Sequence, residues 1–194
     1  MLRTTALGLC AAGFGLFGLA DTALAAGKDK LTIDVLQDDV TSTVIHFEFT
    51  DIRQRPVRVD GVEYTSITMP GEVNGMVKGS PSLPQVSRSV MIPGMAGVDV
   101  SMLSGDFYEI RDIDIAPSKG TLLRTIEPAS VPHTFGKPYA QDAFWPATNA
   151  TVGEPYILRS KRGVTVTVNT VQYNPVTRTL RVYRNMTVAV DNVG

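Results

Sequence analysis

The chain has 194 residues but only one cysteine, one tryptophan and two histidines. The cysteine, Cys10, lies in an N-terminal stretch that reads as a removable leader, so the exported chain is expected to carry no thiol. That excludes a cysteine nucleophile, a disulfide framework and any thiolate metal site. His46 and His133 are far apart in sequence and no HExxH is present. The spacings GxSxG, SxxK and GxxxxGK and that of an EF-hand are missing as well. No cofactor and no metal are expected. With 18 basic and 19 acidic side chains, the chain lacks the cationic excess that attracts a phosphate backbone, so nucleic acid is an unsuited partner. No apolar run approaches the ~20 residues that a membrane-spanning helix needs. Hydrophobic residues, in contrast, make up 43% and charged residues 19%, enough to bury a core and too apolar for a disordered chain.

The first residues carry an export signal. Arg3 supplies the positive start, Leu7 to Ala20 an apolar run, and Ala23-Leu24-Ala25 a small-x-small cleavage site. Four glycines inside that run weaken it as a helix in water. Leu9, ahead of Cys10, is too large for a lipid-attachment site. Residues 1–25 are therefore expected to be a signal peptide and 26–194 the exported domain, secreted or held in the periplasm or cell envelope of a bacterium.

Beyond Lys30 the hydrophobic period is two. Val98, Val100 and Met102 alternate with Asp99 and Ser101; Val164, Val166 and Val168 alternate with Thr165, Thr167 and Asn169; Ile45, Phe47 and Phe49 share a face opposite Val44, His46 and Glu48. Asp60-Gly61 between Val57–Val59 and Val62–Tyr64 predicts a tight hairpin, because both turn residues tolerate positive φ. Asn174-Pro175-Val176-Thr177 predicts a second hairpin, between Val168–Tyr173 and Leu180–Val190. No amphipathic helix of three turns is found. The expected fold is all-β, an antiparallel, jelly-roll-like sandwich. Two stretches do not fit strands: Met69–Pro84, rich in glycine and proline, and Glu127–Pro155, which has five prolines and Trp145. The second also carries Tyr139 and Phe144. It is expected to lie packed across the sheets with its aromatic rings buried, the alternative being a boundary between subdomains at 31–115 and 150–194.

Chemistry is sparse. Asp112 and Asp114 share one face of a strand and read as a solvated edge rather than an acid/base pair. Gln37-Asp38-Asp39 reads as a turn rather than a calcium loop, for want of further ligands. Arg159-Ser160-Lys161-Arg162-Gly163 is a basic cluster at a turn, a site that an arginine-specific peptidase could cut.

A family resemblance emerges from four strings in order. They are Gly79-Ser80-Pro81-Ser82-Leu83-Pro84-Gln85-Val86-Ser87-Arg88 followed by Ile92-Pro93; Ile115-Ala116-Pro117-Ser118-Lys119-Gly120; Tyr139-Ala140-Gln141-Asp142-Ala143-Phe144-Trp145-Pro146; and Gln172-Tyr173-Asn174-Pro175 with Leu180-Arg181-Val182-Tyr183. Together they resemble the gingipain-type propeptide, the N-terminal prodomain of secreted clan CD cysteine endopeptidases. The resemblance runs from about Leu31 to Val190. It implies structural roles for Gly79, Pro81, Leu83, Pro84, Pro93, Pro117, Tyr139, Asp142, Trp145, Pro146, Tyr173 and Pro175.

The same resemblance implies a non-catalytic domain that assists folding of a gingipain-like catalytic domain and masks its active site until removed. The caspase-like catalytic domain with its histidine and cysteine is not within these residues. A pocket selective for arginine or lysine demands a long cation, since its carboxylate is costly to leave unpaired. Two loops could present one. The loop after Pro117–Gly120 carries Lys119 and Arg124, with Arg124 ranked first. The other, Arg159, Lys161 and Arg162, suits a processing cut, with Gly163 expected to keep it flexible. Without the resemblance, pattern alone yields a secreted β-sandwich binding module, an envelope adhesin for protein or carbohydrate; a small hydrolase is weaker still.

Overall fold

The computed structural model describes residues 31–94 and 97–193; the predicted signal peptide and Cys10 lie outside the described residues. Among the described residues twelve strands form: β1 (Thr32–Asp38), β2 (Ser42–Glu48), β3 (Arg53–Val59), β4 (Val62–Thr68), β5 (Val73–Asn74), β6 (Pro84–Met91), β7 (Gly97–Ile110), β8 (Ala150–Val152), β9 (Tyr156–Leu158), β10 (Lys161–Asn169), β11 (Val171–Asn174) and β12 (Thr179–Val193). The first sheet runs β1–β2–β12–β11, with β7 along the other edge of β12. The second runs β5–β6–β10–β8, with β9 also on β10, and β3–β4 make a separate hairpin. All strand pairings are antiparallel.

The alternating runs become the inner faces. Ile45 and Phe47 from β2, with Phe49 just beyond it, meet Val86 and Val90 from β6 and Val164, Val166 and Val168 from β10 between the two sheets. Val98, Val100 and Met102 pack at the margin of this core. A second core lies where β11 and the start of β12 meet the β3–β4 hairpin: Ile67, Leu83, Ile113, Ile115, Val171, Tyr173, Leu180 and Val182. Strand β12 serves both cores because consecutive side chains point to opposite faces, Val182 to one and Tyr183 to the other. Arg184 is then skipped in the pairing with β7, a bulge that resets the parity so that Met186, Val188 and Val190 rejoin Tyr183 in the first core. Since β12 pairs with β2, β7 and β11, the early and late parts of the chain share one sheet, which overturns the two-subdomain alternative.

Both predicted hairpins form. Val59 pairs with Val62 across Asp60-Gly61, both at positive φ (50° and 84°). Asn174 caps the β11–β12 turn, its Oδ1 accepting from the Val176 and Thr177 amides at 3.0 and 3.2 Å. Val168–Tyr173 is not one strand, however. The chain leaves the second sheet after Asn169 and enters the first at Val171. Thr170 makes the crossing fully buried, its hydroxyl donating to the Pro84 carbonyl at 3.1 Å.

Within residues 127–155, Tyr139 and Trp145 pack against the second core and Ala150–Val152 joins the second sheet as β8, with two short 3₁₀ turns at Pro128–Ser130 and Lys137–Ala140. Tyr139, Phe144 and Trp145 are half-buried rather than buried, and Phe135 is exposed. Trp145 exchanges two 2.8 Å backbone hydrogen bonds with Tyr173. The Arg181 guanidinium sits between the Phe107 and Phe144 rings, at 4.4 and 4.0 Å, and pairs with Glu109 at 3.0 Å.

Candidate functional site

The segment 113–118 is sewn into the second core on both sides. The Thr65 amide donates to Asp114 O (2.6 Å) and the Ala116 amide to Thr65 O (3.0 Å). Opposite, Ser82 N donates to Ala116 O (3.1 Å), Ser118 N to Ser80 O (2.8 Å) and Gly79 N to Ser118 O (2.9 Å). Pro117 is buried and bridges to Pro81, so Pro117–Gly120 does not project as the sequence reading had it; it is the root from which a loop departs. Gly120 turns the chain outward at φ 80°, where a Cβ would come within 2.9 Å of the Lys78 Cβ.

The loop proper is 121–127. A turn closes where the Ile126 amide donates to Leu123 O at 3.0 Å, and Arg124 occupies its tip, exposed and without a hydrogen bond or ion pair to any described residue. The returning strand is clamped to the departing one. Lys119 Nζ donates across the neck to Pro128 O at 2.6 Å, and within the returning arm Ser130 Oγ donates to Glu127 O at 2.7 Å. His133 Nδ1 hydrogen-bonds Pro117 O at 2.8 Å. Gly136 N donates to Gly79 O at 2.8 Å, and the two glycines touch backbone to backbone: a Cβ on either would lie 3.0 Å from the other's main chain. Gly79 also stands at φ 80°, so a side chain there is both strained and obstructed. Tyr139 completes the floor, donating to Ile115 O at 2.8 Å and stacking edge-on with Phe135. Burial, with the neighbouring Tyr173, Tyr64 and Asp114, pushes the Tyr139 phenol far above its ordinary range, so it stays a neutral donor.

The two basic residues named for this loop thus take different positions. Arg124 is free at the tip, whereas the Lys119 ammonium is engaged in the neck. The other basic cluster forms a two-residue hairpin: Leu158 pairs with Lys161 across Arg159 (φ 57°) and Ser160. Gly163 does not make it flexible. It is buried in β10 between Met91 and Tyr156, and Arg162 reaches Gly94 O at 3.2 Å.

The structural residues fall on the supports of this region. Leu83 is buried in the second core, and Pro84 O receives Thr170. Asp142 accepts from Asn174 Nδ2 at 2.8 Å, and Pro146 O from Gln172 Nε2 at 2.8 Å. Tyr173 is 1% exposed and donates to Ile113 O at 2.9 Å. Burial first, then the Asp114 charge, pushes its phenol up to about 12. Pro175 lies in the β11–β12 turn, and Pro93 follows the buried Ile92 at the far end of β6.

The other ionisable candidates are structural. Arg178 grips Asp114 through both carboxylate oxygens (2.9 and 3.0 Å) while Ile113 enters the core, so Asp112 and Asp114 form no acid/base pair. Asp39 caps a turn. Donors from Thr41, Gln37 and Ser42 hold its carboxyl well below the usual carboxylate range. His46 Nδ1 meets Thr187 Oγ1 at 2.9 Å within the first sheet. Sequence reading missed Gly136, which carries no motif of its own, and the exposed pair Met76 and Val77 beside the loop. Only an unexplained apolar pair in a Gly/Pro-rich stretch could have pointed to the latter.

Fold and site together define an all-β domain that presents one cation on a clamped, outward loop. Residues 25–193 match the family Propeptide_C25, and the chain belongs to it: it is a gingipain-type propeptide. It is 34% identical over 194 residues to Gingipain R1 of Porphyromonas gingivalis, an alignment covering 98% of this chain and 11% of that protein. It is 38% identical over 143 residues to Gingipain R2 of the same organism, covering 69% and 19%. The chain therefore spans a tenth to a fifth of the length of these curated relatives. Among solved structures, the complex of Porphyromonas gingivalis RgpB pro- and mature domains contains a chain that superposes with TM-score 0.79 at 34% identity, over 84% of each chain. A structure bearing on zymogenic latency of gingipain K from the same organism shares the fold, with TM-score 0.69 at 22% identity, over 88% of this chain and 96% of that one.

Proposed function

We propose that this chain is exported with residues 1–25 as its signal peptide, and that residues 26–194 act as the chaperone and active-site mask of a gingipain-like cysteine peptidase catalytic domain, outside the bacterial cytoplasm. The observation that carries the reading is Arg124, unpartnered at the tip of a loop clamped at its neck by Lys119–Pro128, His133–Pro117 and Gly136–Gly79. A cation held this way enters an acidic specificity pocket at little entropic cost, because the loop is already ordered. The clamps also tie the two arms of the loop below the tip, so a cut after Arg124 leaves both ends held in place. Support for the partner comes from the family and from the relative solved as a complex of pro- and mature domains. The test is titration of an arginine-specific gingipain catalytic domain with the purified chain. An interface of about 1,600 Å² supports nanomolar inhibition when its anchor fills a pocket. Absence of binding would sink the reading in favour of an adhesin. Phe144 and Trp145 are engaged against Arg181 and Tyr173, which counts against an adhesin platform built on them.

The domain is read as non-catalytic. The purified chain is expected to cleave no peptide after Arg or Lys, with or without reductant; turnover that follows its mass through repurification would contradict this. Processing can be predicted from the same geometry. In the free chain, trypsin is expected to cut first after Arg124, on an unpaired exposed loop, and later at Arg159, Lys161 or Arg162, where a paired hairpin must first open. The latter cluster serves as a maturation site only after such opening. Mass spectrometry of early digests decides the order, and a first cut within 159–162 would reverse it.

A further inference from the structure

The Arg124 loop and the loop joined to its base expose four apolar side chains. Leu123 is 71% exposed and Ile126 39% within the same turn; Met76 is 58% and Val77 57% exposed on the loop between β5 and β6. The two loops are joined at their bases. The Thr121 hydroxyl donates to Met76 Sδ at 3.8 Å, and Gly120 lies against Lys78. Large side chains this exposed contribute nothing to the two cores, and such clusters on a folded surface mark contact sites.

We infer that Met76, Val77, Leu123 and Ile126 form an apolar collar around Arg124 that seats on an apolar rim surrounding the peptidase's cation-binding pocket. The inference rests on the cleft-masking reading above. Three observations on this chain favour that occupant. The apolar side chains lie on the Arg124 loop and on the loop joined to its base, and Arg124 has no charge partner among the described residues, which suits a partner offering an acid flanked by apolar surface. Water-excluding contacts around a desolvated anchor are what make an interfacial charge pair strong. A second copy of this chain is the poorer occupant: a two-fold contact through this tip would bring Arg124 against its own symmetry mate, like charge on like. Arg124 and the neighbouring exposed Lys78 are also too few for an anionic membrane surface, which attracts larger clusters of basic residues.

The experiment compares the wild-type chain with Met76→Ser/Val77→Ser, Leu123→Ser and Arg124→Ala against an arginine-specific gingipain catalytic domain. Inhibition constants, heat-capacity changes of binding, melting temperatures and sedimentation of each chain alone are measured. The double variant is expected to weaken inhibition about 10- to 30-fold and Leu123→Ser about tenfold, mostly through faster dissociation, as loss of buried apolar area predicts. The heat-capacity change should become less negative, and melting should stay at the wild-type temperature because these side chains are exposed. Collar variants that inhibit like wild type while Arg124→Ala does not would overturn the collar and leave the anchor standing. Collar variants that weaken inhibition while Arg124→Ala does not would keep the collar and remove the anchor. A wild-type chain that does not bind overturns both. Self-association of wild type that the collar variants abolish would reassign the surface to a second copy and overturn the proposal.

Discussion

Replacing Arg124 by alanine is expected to raise the inhibition constant against an arginine-specific gingipain catalytic domain by at least about thirtyfold, or ~2 kcal/mol, the lower bound for a central interfacial anchor. The side chain has no described partner to lose, so the folded chain should keep its stability and the whole effect should appear in binding. Arg124→Lys separates the two pocket types. An ammonium cannot reproduce the planar fork of a guanidinium on a carboxylate, so inhibition of an arginine-selective partner should fall and that of a lysine-selective one should not. Lys119→Ala is expected to act differently. Its Nζ is already used on Pro128 O, so its loss loosens the neck and weakens inhibition only several-fold. Arg159→Ala/Arg162→Ala should leave inhibition within a few-fold of wild type, because that hairpin lies at the Met91 end of β6, whereas the Arg124 loop is rooted beside its Pro84 end. If none of these substitutions moves inhibition beyond a few-fold, the basic-anchor mechanism is wrong.

Tyr173→Ala is expected to destabilise the domain by ~3–5 kcal/mol, the range for emptying a large buried aromatic site, and to lower the melting midpoint by roughly 6–20 °C in a domain of this size. The ring is 1% exposed, at the centre of the second core, and its hydroxyl donates to Ile113 O, at the base of the segment that roots the Arg124 loop. Tyr173→Phe isolates the hydroxyl. It leaves the ring volume and strands a buried carbonyl, for a loss of about 1–3 kcal/mol. Burial holds this phenol protonated far above neutrality, so the stabilisation from its donated proton should be flat from pH 6 to pH 9. Thermal melts across that range check both points. A fall below about 1 kcal/mol for Tyr173→Ala would show that the second core does not depend on this ring.

The two results together separate anchor from scaffold: Arg124→Ala should bind poorly and melt normally, Tyr173→Ala the reverse whenever enough of it remains folded.

The all-β class was legible from residue types at alternate positions, because a strand's side-chain period is a local property. Val164, Val166 and Val168 show it plainly, as does Asp60-Gly61 for its turn. The four family strings were legible for a related reason: they sit where backbone approaches backbone or a side chain serves a fixed hydrogen bond, and few residue types satisfy either. Arg124 could be proposed as an anchor only through the family resemblance and the choice between two basic loops, since nothing local distinguishes an exposed arginine that meets a partner from one that faces water.

What the tertiary structure decided is where alternation is broken and which segments meet. Thr170 divides one apparent strand between two sheets, and the Arg184 bulge resets the parity of β12; both depend on partner strands that are distant in sequence. Gly136 and Gly79, 57 positions apart, touch because two loops are pressed together by the second core. Lys119 and Arg124 look interchangeable in sequence. Only the position of the Pro128 carbonyl makes one a clamp and leaves the other free, and that position is set by contacts no local pattern encodes. The sequence by itself determined period, turn chemistry and family; the placement of one cation at the tip and another at the neck belongs to the fold, because it is a matter of which distant backbone groups lie within hydrogen-bond reach.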